Sequence, residues 1–277
     1  MGYELFKPEI LANELMTDRH RVSVFKNLLY KGPILGEIKN KGDILHICGV
    51  GRPTVRDYTQ GSDITIETQD VYSQDLRITE AKYVSVTLDD IDAKQMQGEV
   101  MSTHIGEAKE ALGRTYDEFF AKYYSSATNT ITDASFDEET AIDVVLEAEQ
   151  KLLEYDVPSG EEKFLVVSPA INRVLKKTKI VFKSNNDAMF GVKGYEGEFC
   201  GFNVFVSNAV QNNGSTTDYC MAFTRQAIAG AEQIPPSKIE KFRPQKRFED
   251  AFKVLHLYGG TVIRPNELVC LTLTPAS

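Results

Sequence analysis

The sequence predicts an α+β protein, and three observations support that class. Residues 56–90 alternate apolar and polar side chains, which is the two-residue period of β-strands. The segment after residue 90 has apolar side chains at steps of three and four, the period of an α-helix. From about residue 135 onward, short strand and helix patterns alternate. With 277 residues, 42% of them hydrophobic, the chain can form one large domain or two modest ones.

The alternating stretch predicts an extended β-ribbon that needs a partner surface. Its apolar positions are Ile64, Ile66, Leu76, Ile78, Val84, Val86 and Leu88. The positions between them are mostly polar, and no helical segment within the stretch could cover the apolar side. An isolated two-stranded ribbon is only marginally stable in water. Before the ribbon, strands are predicted at about 44–48 and 54–58, on either side of a turn with Gly49, Gly51 and Pro53.

A long helix, which we call the spine helix, is predicted after the ribbon. Asp89 or Asp90 can cap its N-terminus, and its expected length is roughly 30 residues. Its apolar stripe consists of Met101, Ile105, Ala108, Leu112, Tyr116, Phe119 and Tyr123. Near the start of the chain, residues 8–30 have an interrupted helical spacing, which predicts an N-terminal arm with one or two short helices.

The second half predicts several shorter elements. Ser135 and Glu138 form a capping box that opens a helix. Residues 164–167 read as a strand covered on both sides, and Ser168-Pro169 opens a helix over 169–177. Strands are predicted at 202–206 and within 219–234. The C-terminal region reads as two strands, interrupted at Gly259-Gly260 and at Arg264-Pro265.

Composition argues against several functional classes. The net charge of −9 disfavours a surface that grips a nucleic-acid backbone, and a basic run (Arg173, Lys176, Lys177, Lys179) is typical of a solvated helix end. The sequence contains no run of about 20 apolar residues, which is the length that a membrane-spanning helix requires. The four cysteines are scattered without a C-x-x-C pair, so buried thiols are expected rather than metal ligation or disulfides.

Motifs for catalysis or cofactor binding are weak. CGVGRP has two of the three glycines of a dinucleotide loop, but Pro53 and Thr54 begin a predicted strand where that loop requires a helix. A tight turn between two strands is the alternative. Asp89, Asp90 and Asp92 are better explained as helix caps than as cation ligands. His256 lies among apolar residues and is expected to be a hydrogen-bonded strand histidine. We therefore expect no enzyme activity, no cofactor and no metal.

Four stretches, in order along the chain, are informative as a set: KGDILHICGVGRPTVRDYTQGSDITIETQ, AKYVSVTLDDIDAKQMQ, GVKGYEGEFCGFNVFVSNAV and LHLYGGTVIRP. The third has the pattern Gly-Phe-x-Val-x-x-Ser-Asn, and the fourth has the pattern Tyr-Gly-x-x-Val-x-Arg-Pro near the C-terminus. In this order they resemble tailed-bacteriophage major capsid (coat) proteins. The first resembles the entry into the extended loop of that family, the second the return into its spine helix, and the third its apical domain. Together they cover most of residues 36–265.

The resemblance implies the HK97-type capsid fold and four regions. An N-terminal arm spans 1–35, and the extended β-hairpin loop (E-loop) with its base strands spans 36–88. A peripheral domain with the spine helix comprises 89–125 and 220–277, and an apical domain comprises 126–219. The last strand belongs either to the peripheral domain or to the apical domain.

In that family the ribbon lies across a neighbouring subunit. The resemblance therefore suggests residues that contact a neighbour: Arg52, Arg56, Asp57, Tyr58, Ile64, Ile66, Leu76, Arg77 and Ile78. The implied function is self-assembly into hexamers and pentamers of an icosahedral phage head that encloses double-stranded DNA without sequence-specific binding. The implied partners are further copies of the chain and a portal protein. Some relatives carry a large N-terminal scaffolding region, whereas this chain reaches the arm within about ten residues, so a separate scaffolding protein or prior proteolysis is implied. Assembly is expected in the host cytoplasm, and the final location is the virion.

Two alternatives remain open. An encapsulin-like nanocompartment shell would have the same fold but would package proteins instead of DNA. A small α/β cytosolic enzyme is the alternative from a different class, and it would require a cofactor or an active monomer.

Overall fold

The computed structural model describes most of the chain outside the arm and the middle of the ribbon. The described residues are 23–30, 32–50, 55, 57, 60, 63, 71–89, 100–158, 160–178, 194–234, 240–243 and 249–276. Most of the predicted N-terminal arm therefore lies outside them, and a short 3-10 turn occupies Phe25–Asn27.

The described elements are mostly strands, and three helices interrupt them between residues 100 and 177. The strands are β1 (Ile44–Val50), β2 (Val71–Arg77), β3 (Glu80–Asp89), β4 (Asn129–Phe136), β5 (Lys163–Val167), β6 (Tyr195–Phe199), β7 (Phe202–Val206), β8 (Gln211–Asn212), β9 (Asp218–Thr224), β10 (Ile228–Gln233), β11 (Glu240–Phe242), β12 (Glu249–Val262) and β13 (Leu268–Pro275). The helices are α1 (Val100–Ala121), α2 (Thr140–Leu153) and α3 (Pro169–Lys177). No helix within the described ranges is long and apolar enough to cross a membrane.

The largest sheet has seven strands in the order β4-β13-β9-β5-β7-β6, with β8 also paired to β9. All five residues of β5 are buried, which confirms the prediction of a strand covered on both sides. The last strand, β13, lies between β4 and β9, in parallel to the first and antiparallel to the second. The C-terminus of the chain therefore completes the sheet of the predicted apical region.

A second sheet is built on β12, which pairs with β3 on one side and with β10 and β11 on the other. The predicted interruption at Gly259-Gly260 is wrong, because β12 runs through both glycines. They are explained by close packing. A Cβ atom on Gly259 would lie 2.1 Å from the carbonyl oxygen of Arg77, and one on Gly260 would lie 2.6 Å from the Phe120 ring. The second predicted interruption is confirmed by the 3-10 turn at Pro265–Glu267.

The helices confirm most of the predicted patterns. In α1, the spine helix, Ala108, Leu112 and Tyr116 are buried as the stripe predicts, while the predicted start lies outside the described residues. Helix α3 begins as predicted, with the Ser168 hydroxyl accepting a hydrogen bond from the Ile171 amide at 3.2 Å.

The predicted capping box of α2 is wrong. Ser135 belongs to β4, and the helix begins at Thr140. The Asp137 carboxylate accepts hydrogen bonds from the amides of Glu139 and Thr140 at 2.9 and 3.0 Å. These bonds stabilise the charged form and lower the pKa of Asp137. A carboxylate two residues farther along the chain therefore performs the capping role predicted for Ser135.

Two of the apolar clusters that hold these elements together lie within the described residues. The larger combines both faces of the seven-stranded sheet with α2, α3, the C-terminal part of α1 and the turn at Phe25. The smaller lies under the ribbon and contains Leu45, Ile47, Leu76, Ile78, Ala229 and Leu257. The ribbon is thus attached to the second sheet through a cluster of its own.

Candidate inter-subunit surface

The strands β1 and β2 pair antiparallel and form the base of the ribbon, so that residues opposite each other share a face. Residues 80–89 of the predicted ribbon instead form β3 and pair with β12 in the second sheet. One face carries Leu45 opposite Leu76 and Ile47 opposite Gln74. The other face carries polar or reactive side chains, with His46 opposite Asp75 and Cys48 opposite Ser73. The sequence alternation therefore produces a ribbon with one apolar and one polar side.

The apolar side is covered by the chain's own second sheet. Leu76 and Ile78 are each 0% exposed, and they pack with Ala229 of β10 and Leu257 of β12. The Gln74 side-chain amide donates to the carbonyl oxygen of Val262 at 2.8 Å. The described part of the ribbon, its base, is therefore fixed to its own subunit.

This placement corrects two of the candidate contact residues. The resemblance predicts that Leu76 and Ile78 touch a neighbouring subunit, but their side chains are enclosed by their own. The physical reason is that alternation identifies a strand with one buried face without identifying which sheet buries it. Contact with a neighbour remains a prediction for the other candidates.

The polar side of the ribbon base is open to solvent. Arg77 is exposed, Ile44 is 39% exposed, and the Nδ1 atom of His46 lies 3.0 Å from a carboxylate oxygen of Asp75. Asp57 is exposed as well. The remaining candidates, Arg52, Arg56, Tyr58, Ile64 and Ile66, lie outside the described residues. Arg77 and Asp57 are thus the candidates that the structure leaves accessible.

The arm is attached to the spine helix by a buried carboxylate that sequence reasoning missed. Asp117 is 5% exposed and accepts hydrogen bonds from the Ser23 hydroxyl at 2.5 Å and from the Val24 amide at 2.9 Å. A third bond comes from the amide of Phe25 at 3.2 Å. The available signal was an acidic residue between Tyr116 and Phe119, two members of the helix's apolar stripe.

A second attachment links the arm to the sheet beneath the ribbon. Lys26 lies 2.8 Å from one oxygen of Glu232, and the other oxygen is 3.3 Å from the Nε2 atom of His256. His256 is fully buried on β12, which confirms the prediction of a hydrogen-bonded strand histidine. Because Glu232 lies on β10, this network ties the arm to two strands that also support the ribbon base.

The cysteines follow the expected burial only in part. Cys220 and Cys270 are buried, and burial raises the pKa of Cys220 to about 12, so its thiol stays protonated. Cys200 is partly buried. Cys48 is exposed on the polar side of the ribbon, so the expectation of a buried thiol is wrong there.

Comparisons with known proteins identify solved structures with this fold. No protein-family model and no curated protein matches the sequence. A structure of Mycobacterium phage Che8 has 27% sequence identity, a TM-score of 0.66, and 90% of each chain covered. The capsid structure of Cyanophage P-SCSP1u has 15% identity and a TM-score of 0.68, with 92% of this chain and 88% of that chain covered.

A third likeness is to the virus-like particle from Pyrococcus furiosus. It has 14% identity and a TM-score of 0.58, with 95% of this chain and 98% of that chain covered. These likenesses confirm the α+β class and the HK97-type capsid fold that the sequence resemblance implied.

Proposed function

From the HK97-type fold that this chain shares with phage capsid structures, we propose that it is a major capsid protein. It assembles with copies of itself into hexamers and pentamers of an icosahedral phage head that encloses double-stranded DNA. The observation that supports this most strongly is the likeness to the Che8 structure, at 27% identity over 90% of both chains. The neighbours are shell proteins, which favours a structural role over the small α/β enzyme.

The ribbon geometry is suited to such assembly. The buried cluster with Leu76 and Ile78 fixes the direction in which β1 leaves its own subunit and β2 returns to it. The segment between the strands, residues 51–70, contains the apolar pair Ile64 and Ile66. We propose that this segment contacts a neighbouring subunit, together with the exposed Arg77. Contacts between different patches on identical subunits close into rings when the rotation from one subunit to the next closes.

Three further partners belong to the proposal. A separate scaffolding protein guides assembly, a portal protein occupies one vertex, and the shell encloses DNA without reading its sequence. The net charge of −9 fits a shell that encloses DNA without holding it tightly, because a strongly basic surface would bind the DNA backbone. Assembly takes place in the host cytoplasm and the product is the virion.

A cellular nanocompartment is the second candidate. The likeness to the Pyrococcus furiosus virus-like particle favours it, although the identity is 14% against 27% for the Che8 structure. The two candidates differ in what the shell encloses, since a phage head holds DNA and a nanocompartment holds protein.

Particle content and form test both candidates in one experiment. The chain is purified from the cells or lysate in which it is naturally produced, treated with nuclease, and examined by electron microscopy and nucleic-acid extraction. We expect closed particles with nuclease-protected double-stranded DNA. Closed particles with protein cargo and no DNA would establish the nanocompartment instead. A monomer that stays unassembled at high concentration would contradict both.

A further inference from the structure

Helix α2 has an outward side that combines apolar and acidic residues. The exposed positions along it are Asp143, Leu146, Glu147, Gln150, Leu153 and Glu154. Leu146 and Leu153 are 45% and 46% exposed, although Val145 and Leu152 of the same helix are buried in the core. Two half-exposed leucines, two helical turns or about 10 Å apart, give this side an apolar edge, and the carboxylates lie beside it.

The carboxylates nearest to Leu146 are not neutralised within the described residues. There, Asp143 and Glu147 form no ion pair, whereas Glu154 lies 3.7 Å from Lys151. Asp143 and Glu147 stand four residues apart on the same side of the helix, a separation of about 6 Å. We call this pair the acidic face.

Helix α3 presents the opposite charge with the same spacing. Arg173 and Lys177 are exposed and also four residues apart, and neither forms an ion pair within the part of the chain that the structure describes. Lys176, between them, is paired with Glu196 at 2.7 Å. This is the described part of the basic run that the sequence predicts to be a solvated helix end. Arg173 and Lys177 form the basic face.

We propose that the acidic face of one subunit binds the basic face of the next copy of this chain. Asp143 and Glu147 pair with Arg173 and Lys177 across the contact, because both pairs have the one-turn spacing. Leu146 packs on the methylene stems of the two cations, which removes part of its exposed surface from water. The inference rests on the proposed function and specifies a contact within the shell.

A second copy fits these faces better than another partner does. The two faces are different and complementary, and both occur on every subunit, which is the condition for a head-to-tail contact that closes into a ring. The basic face contains too few cations for tight binding to a nucleic-acid backbone, which requires many phosphate contacts. A contact based on surface charges also weakens as salt screens them.

Charge reversal tests the contact. The variant D143K/E147K makes both faces basic, and R173E/K177E makes both faces acidic. We expect each variant alone to form at least about tenfold fewer capsomers than the unmodified chain, measured by analytical ultracentrifugation and negative-stain microscopy. The combined variant D143K/E147K/R173E/K177E exchanges the two charges and should restore assembly. The neutral variant D143N/E147Q is the matched control for size and should show an intermediate loss.

Mixing the two reversed variants gives a sharper result. One variant then has two basic faces and the other has two acidic faces, so unlike charges meet only where the two variants alternate around the ring. Strict alternation requires an even number of subunits. An equimolar mixture should therefore recover hexamers and fail to recover pentamers. Far-UV circular dichroism and thermal unfolding of each variant establish that the subunits are folded.

The outcomes separate this inference from the proposed function. If the unmodified chain does not assemble, the proposed function fails. If it assembles and both reversed variants assemble equally well, the contact proposed here is wrong while the function stands. If the reversed variants do not fold, the contact is tested instead by measuring how the unmodified capsomers dissociate as the salt concentration rises. Capsomers that dissociate as sodium chloride rises from about 50 mM to about 1 M support the contact, and capsomers insensitive to salt contradict it.

Discussion

The seven-stranded sheet and the ribbon base bury their residues in different ways. Every residue of β5 is buried, because the sheet has packing partners on both faces. In β2, Leu76 is fully buried while its neighbours Asp75 and Arg77 are exposed. The sheet therefore owes its stability to its own chain. The ribbon base depends on one face alone and leaves the other available to a partner.

The largest effect should come from breaking the two-sided core. Phe164 on β5 is fully buried and its ring contacts those of Phe205 and Phe223. We expect Phe164→Ala to lower the free energy of unfolding of the unassembled subunit by about 3–5 kcal/mol. Chemical denaturation measures this. A loss below about 1 kcal/mol would show that the sheet is not the stable centre of the subunit.

A smaller loss should follow from breaking the one-sided base. Leu76→Ala removes a fully buried side chain from the cluster under the ribbon and should destabilise the unassembled subunit by about 2–4 kcal/mol. Arg77→Ala is the matched control, since its side chain is exposed and should change stability by less than about 0.5 kcal/mol. Equal effects of the two variants would show that the base is not packed on its own subunit.

The arm attachment should contribute less again. In Asp117→Asn, the buried group loses its charge, and one oxygen that accepts hydrogen bonds is replaced by a donor facing the amides of the arm. We expect a loss of about 1–3 kcal/mol, together with faster proteolysis near Ser23. Unchanged cleavage at this position would mean that Asp117 does not hold the arm.

The smallest effect concerns pH and the N-terminus of α2. The pKa of Asp137 is lower in the folded chain than in the unfolded chain. Its contribution to stability is therefore present above the unfolded pKa and is lost as the pH falls through the folded pKa. Asp137→Ala should lower the melting temperature slightly at pH 7 and reduce its decline in acid. An unchanged acid dependence would contradict the capping role.

The sequence predicts an element correctly where a local pattern is compatible with only one type of secondary structure. The buried run at β5, the Ser168-Pro169 start of α3 and the stripe on α1 each have a local explanation, and the structure confirms them. The glycines at 259 and 260 mislead because their cause is distant: the Arg77 carbonyl and the Phe120 ring approach them in space.

The candidate surface is harder to predict from the sequence, because its contacts also involve residues that are distant along the chain. Alternation marks Leu76 and Ile78 as buried, but the partner that buries them is set by tertiary packing on β10 and β12. Asp117 escapes sequence reasoning because a carboxylate within an apolar stripe has no local meaning until the arm is placed beside it.

The ribbon divides into a base that serves its own subunit and a segment beyond it that we propose serves a neighbour. Replacing residues 55–68 with a short Gly-Ser linker tests this division directly, since β1 and β2 are left intact. We predict that the melting temperature of the unassembled subunit changes by less than about 2 °C, while no closed particles form under conditions in which the unmodified chain assembles. Normal particles from the shortened chain, or a melting temperature many degrees lower, would contradict this division of roles.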